Sequence, residues 1–193
     1  MIAALFVQKG GSYWDLDGVD PWDEVRDARK YGGPHVVVAH PPCARWCQLA
    51  GLVEARYGIK AGEDDGCFES ALVSVRKWGG VLEHPAFTKA WEAFGLTEPR
   101  ADGWIRCMFD GGWVCEVSQH PYGHRARKLT WLYYVGAAPP PSLDWSRPAP
   151  IARLSWCANH GESKVEIMGK RERSASPHAF RDALLRIARS AHP

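Results

Sequence analysis

The sequence predicts an α/β fold built on a mostly parallel sheet. Two observations carry the prediction. Short, wholly apolar runs bounded by Gly or Pro recur along the 193 residues, and segments with helical spacing separate them.

Residues 2–7 (IAALFV) and 36–39 (VVVA) read as buried strands. Between them PWDEVRDARKY reads as a helix, with Pro21 in its first turn and Gly32-Gly33 ending it. A strand–helix–strand unit of this kind implies a parallel pair joined by a crossover. Residues 48–66 are polar and Gly-containing, the pattern of a mobile loop. Residues 67–78 form a predicted helix with Leu72, Val75 and Trp78 on one face, closed by Gly79-Gly80. VLEH (81–84) follows as a strand cut off by Pro85, and 113–118 (WVCEVS) and 130–135 (TWLYYV) are two more. The Pro-rich run 136–150 is expected to be a linker or an extended surface piece. Ser176-Pro177 carries helix-start chemistry, and Phe180, Ala183, Leu184 and Ile187 follow at helical spacing.

Length and composition fit a single domain over 1–193, with 46% apolar and 24% charged residues. No stretch approaches the ~20 apolar residues of a membrane span. MIAALFV has neither a basic leader nor a cleavage pattern. Six scattered cysteines do not form a disulfide framework, and a reduced, cytoplasmic protein is expected. The net charge of +2 hides an asymmetry: residues 120–193 hold 12 Lys/Arg against 5 Asp/Glu. A basic C-terminal portion suits a polyanionic partner, although uneven charge is often only a solvated face.

Reactive-looking motifs fall just beyond predicted strands, where open parallel sheets place their ligands. They are Pro41-Pro42-Cys43, Glu83-His84-Pro85 and the basic segment Gly123–Lys128. Two prolines fix φ and would present the Cys43 thiol on a stiff elbow, as a nucleophile requires. The competing reading is an inert cysteine packed as a small apolar residue. Cys107, Cys115, Cys157 and His160 could assemble a tetrahedral metal site, but their spacings fit no finger arrangement, and no metal is expected.

In order and spacing these motifs resemble the DNA cytosine-5 methyltransferases. VVVAHPPCARWCQLAG resembles that family's strand–Pro-Pro-Cys motif, VLEHP its strand bearing a catalytic Glu, and GHRARKLTWLYYVG its Gln-x-Arg-x-Arg motif, with Gly123 at the Gln position. SASPHAFRDALLRIA resembles its closing helix. The resemblance implies a three-layer, reduced Rossmann-like methyltransferase fold. It also implies a covalent adduct of Cys43 on cytosine carbon 6, an acid (Glu83) at ring nitrogen 3, and Arg127 with Arg125 on the base and its phosphates. Arg45, Trp46 and Gln48 would lie on a loop closing over a flipped base, and His84, His124 and Lys128 beside it. Arg45 and Trp46 read equally well as a surface ion-pair partner and a core aromatic. Arg153, Lys170, Arg171 and Arg173 are candidate phosphate contacts, or a solvated helix approach.

The stretch LFVQKGGSYWDL matches the family's S-adenosylmethionine loop at Phe6, Gly10 and Gly11, while Gln8 replaces its first glycine. Only 36 positions separate Phe6 from Pro42, room for one crossover where the family has two strand–helix units. Asp17 or Asp20 would have to supply the adenosine-holding carboxylate. The expected donor is S-adenosylmethionine or a methylenetetrahydrofolate-type compound, the latter because thymidylate synthases, unrelated in fold, pair a Cys nucleophile with folate. Residues 137–173 stand as a short insert where the family carries a DNA-recognition domain. The expected partner is double-stranded DNA with a flipped cytosine. Two other readings stay open: an inactive DNA-binding relative, and a pyrimidine-nucleotide modifying or deaminating enzyme.

Overall fold

The computed structural model describes residues 1–101, 103–154 and 166–191. Among them seven strands form one sheet: β1 (Ile2–Leu5), β2 (Val19–Trp22), β3 (Val36–Ala39), β4 (Gly80–Pro85), β5 (Ile105–Arg106), β6 (Trp113–Ser118) and β7 (Leu129–Val135). Their order is β2-β1-β3-β4-β7-β6-β5. The strands from β2 to β4 run parallel, and β7, β6 and β5 are added by antiparallel pairings. The α/β class holds, but the sheet is mixed: parallel at one end and antiparallel at the other.

The sheet is covered on both faces, which is why β1 and β3 are apolar at every position. Successive side chains alternate. Ile2, Ala4, Val36, Val38 and Val81 join one core, and Ala3, Leu5, Val37, Ala39 and Leu82 join the other. Helix α5 (His178–Ser190) seals the first core with Phe180, Leu184 and Ile187. Helix α2 (Cys67–Trp78) seals the second with Phe68, Ala71, Leu72 and Val75. Both show the i, i+3/i+4, i+7 stripe of a one-faced helix. Gly79 and Gly80 turn α2 into β4 at φ 75° and 121°, and a Cβ on Gly80 would lie 2.0 Å from the Val37 carbonyl oxygen. Only glycine lets β4 approach β3 there.

Two expected elements are corrected. The segment 21–31 is not a helix: Pro21 lies within β2, and only a 3-10 turn, Ala28–Lys30, follows. β2 is the edge strand, where a proline's missing N–H costs no ladder bond. The supposed loop 48–66 contains helix α1 (Ala50–Tyr57), in which only Ala50 is buried. Helices α3 (Lys89–Ala93) and α4 (Lys170–Ser174) were not anticipated either.

Residues 136–150 carry no helix or strand, yet they are anchored. Leu143 enters the first core, and the Trp104 indole donates to the Pro141 carbonyl at 3.0 Å. No helix among the described residues is long and apolar enough to cross a membrane.

Candidate functional site

The carboxyl ends of the parallel strands open into a cleft of ≈ 1470 Å³. Its walls come from distant parts of the chain. The turn after β1 supplies Phe6–Gln8 and Gly11–Tyr13; the end of β3 supplies His40–Cys43; β4 supplies Glu83 and Pro85. Because β7 runs antiparallel to β4 (Pro85 opposite Thr130), the residues that lead into it, Arg127 and Lys128, arrive at the same end. Arg171, Arg173 and His178 complete the rim from α4 and the start of α5.

Cys43 stands on the expected elbow. Pro41 is buried, and the chain turns at once, with the Trp46 amide donating to the Cys43 carbonyl at 3.0 Å. Cys43 is exposed as a residue, yet the cleft walls remove water from its sulfur. This desolvation, reinforced by the negative Glu83, pushes the thiol's pKa up, against an opposing pull from Lys128. Lys128 is itself partly desolvated, which pushes its pKa down, while Glu83 and Cys43 favour its charge. Its ammonium donates to the Ser174 and Ala175 carbonyls at 3.2 and 3.1 Å, tying the strap between α4 and α5 to the cleft.

Glu83 sits at the floor. Burial would raise its carboxyl, but the His40 hydrogen bond, helped by the Lys128 charge, outweighs burial and holds it below the ordinary value. The His40 Nδ1 lies 2.9 Å from Glu83 Oε2, and the His40 Nε2 lies 2.8 Å from the Tyr13 hydroxyl. Gln119, fully buried, donates to Thr130 Oγ1 at 2.8 Å and reaches Glu83 Oε1 at 3.4 Å. Tyr13, His40 and Gln119 were missed by sequence reasoning. His40 had a usable signal, since it directly precedes Pro41-Pro42-Cys43 at a strand's carboxyl end. Tyr13 had none, as nothing in the pattern links positions 13 and 40.

Phe6, Gly11, Pro42, Cys43, Glu83, Arg127, Lys128, Arg171 and Arg173 therefore share one cleft. The other candidates lie elsewhere. His84 follows Glu83 by one residue and so leaves β4 on the opposite face, packed between Phe68 and Trp91. Burial depresses its pKa to about 4, and neither ring nitrogen has a hydrogen bond of ordinary geometry. Trp46 is a core aromatic beside Phe68 and Phe94, its indole donating to Asp64 at 2.8 Å. Arg125 points away to Glu166 and Glu172, the latter at 3.0 Å. His124 is buried, its Nδ1 bonded within its own turn to the Ala126 carbonyl at 2.8 Å.

Arg45, Gln48 and Gly10 lie outside the cleft lining. Arg153 pairs by its backbone with 166–168, bonds that serve chain folding and leave no cleft contact. Lys170 opens α4, and its side chain, like Cys157 and His160, is outside the described residues. Cys107 and Cys115 belong to opposite cores.

The wall after β1 does not fit S-adenosylmethionine in the way the resemblance implies. Asp20 faces the outer edge, held by the Trp22 indole at 2.8 Å and by Arg26. Asp17 lines a separate pocket beside Met1 and Val36. Glu83 is the one carboxylate among the described residues of the cleft, so none is placed there to hold a ribose. Comparison of the chain with protein-family models, with curated proteins and with solved structures finds no match.

Proposed function

We propose that this protein is a DNA-modifying one-carbon transferase of the cytosine-5 methyltransferase type, on a reduced Rossmann-like fold, working through a covalent Cys43 adduct. One observation carries the reading: the Cys43 thiol and the Glu83 carboxylate, 40 positions apart in sequence, line one cleft at the ends of neighbouring parallel strands, with Arg127 and Lys128 beside them. The cleft is several times larger than a pyrimidine ring, leaving room for a base and a second reactant.

In the proposed reaction Cys43 gives up its thiol proton to solvent, and the thiolate, favoured by the Lys128 ammonium, forms a bond to carbon 6. The carbon 5–carbon 6 π pair moves to carbon 4–carbon 5, and the carbon 4–nitrogen 3 π pair takes a proton from Glu83, which has first gained one from water. Carbon 5 becomes nucleophilic. Arg127, Arg171 and Arg173 hold the flanking phosphates. A one-carbon donor would supply an electrophilic carbon to carbon 5 and leave with the electrons of the bond it loses. Nitrogen 3 then returns its proton to Glu83, water takes the carbon 5 proton, and the Cys43 thiolate is expelled from carbon 6. By charge, a carboxylate-bearing folate-type donor suits this cationic cleft better than a sulfonium does.

The test is DNA containing 5-fluorocytosine, followed by nucleoside mass spectrometry with each donor class. Wild type forms a complex that survives denaturation, and Cys43→Ala does not. Equal DNA retention by both proteins without any adduct supports the alternative of a binding module, which the raised Cys43 pKa favours. Uracil without added mass at carbon 5 indicates deamination.

A further inference from the structure

We propose that Tyr13 and His40 form a proton relay that sets the protonation of Glu83, with His40 resting as the Nδ1–H tautomer. The two residues come from different loops, and each bond in the chain has ordinary geometry: 2.8 Å from Tyr13 to His40 and 2.9 Å from His40 to Glu83. The Glu83 carboxylate can only accept, so the facing Nδ1 must donate. A neutral ring with Nδ1–H has a bare Nε2, so the Tyr13 hydroxyl must donate to it. Tyr13 keeps its proton, since burial, and then the Glu83 charge, push its pKa well up.

This arrangement lets a proton move with little more than a hydroxyl rotation. Tyr13 passes its hydroxyl proton to Nε2 while taking one from water, and the Nδ1 proton passes to Glu83 Oε2. Glu83 becomes a neutral acid and His40 a neutral Nε2–H tautomer. The acid protonates ring nitrogen 3 and returns to carboxylate. One proton enters from water, one leaves to the base, and no electrons change hands. When the adduct collapses the chain runs backwards and restores the resting tautomer. Gln119 holds the other carboxylate oxygen from below throughout.

The charged and titratable groups around the relay are Cys43 beyond β3, His84 on β4, Lys128 before β7, and Arg181 and Asp182 on α5. Lys128 favours the carboxylate, opposing premature protonation at rest. His40 is thus a positioning residue acting through Glu83, and its kinetic role rests on the function proposed above, whereas its tautomer does not.

Long-range proton–nitrogen NMR on histidine-labelled protein across pH 5–9 tests the relay without any substrate. The expected result is a protonated Nδ1 and a bare Nε2 on His40. Tyr13→Phe, which deletes one hydroxyl, should leave the Nδ1–H tautomer in place, since Glu83 still faces Nδ1, and should slow adduct formation. An Nε2–H tautomer in wild type overturns the relay.

The rate of 5-fluorocytosine adduct formation against pH supplies the kinetic arm. His40→Asn should slow it at least tenfold and remove one limb of the profile, while wild-type limbs kept in the variant overturn the relay. If the NMR signature appears and wild type forms no adduct, the relay stands and the function reading fails. An adduct without the signature gives the reverse.

Discussion

Glu83 and His84 are consecutive residues that leave β4 on opposite faces, and both make the protein acid-sensitive. His84 is fully buried among Phe68 and Trp91 with its pKa depressed to about 4. Between that value and the ordinary histidine range the unfolded chain binds the extra proton, so stability falls as pH drops through this window and levels off below about 4. The loss attributable to His84 is about 3 kcal/mol. Glu83 adds to it, since a carboxyl held below its ordinary value gives stability that is present above the unfolded pKa and lost as pH falls. Urea denaturation at pH 7, 5.5 and 4.5 checks this, and His84→Phe, which suits the aromatic pocket, should flatten the slope. At this scale the sequence was half legible. Cys43 and Glu83 stood out by type and by their place after strands. Nothing local, however, distinguishes a glutamate facing a cleft from a histidine facing a core, because the face depends on the strand's register.

Short apolar runs gave the strands away, and VVVA and WVCEVS match the observed β3 and β6 residue for residue. The helix expected at 21–31 failed because a proline near a segment's start looks the same at a helix N1 position and in an edge strand. Helix α1 escaped because it is mostly solvated and offers little of an apolar stripe to detect. The element that tolerates least is the junction of α2 and β4. A methyl group at Gly80 would meet the Val37 backbone, which cannot move without breaking its pairing. Gly80→Ala should cost at least about 3 kcal/mol, read as a lower urea midpoint. Leu184→Ala in α5, at a site with no solvent exposure, should cost about 2–5 kcal/mol in the same assay.

Across the whole molecule, the cleft collects cations from two places: Arg127 and Lys128 before β7, and Arg171 and Arg173 on α4. The basic C-terminal portion of the sequence foretold the charge but not its convergence, which depends on the α4–α5 strap folding back over Lys128. If the rim holds DNA phosphates, replacing Arg127 and Arg171 with Gln should lower the slope of log affinity against log salt by about 2. Fluorescence anisotropy over a salt series measures this. An unchanged slope would assign both arginines to solvent.

Helix α5 closes the first core over β1, β3 and β4, although it is made from the last part of the described chain. A ribosome synthesising this protein has released β1, β3 and β4 long before residues 178–190 exist. Until then Ile2, Ala4, Val36, Val38 and Val81 have no lid, so this core cannot close before α5 has emerged. Cells lacking trigger factor-like holdases should accumulate the protein as inclusion bodies, and slowing elongation upstream of residue 178 should worsen the yield.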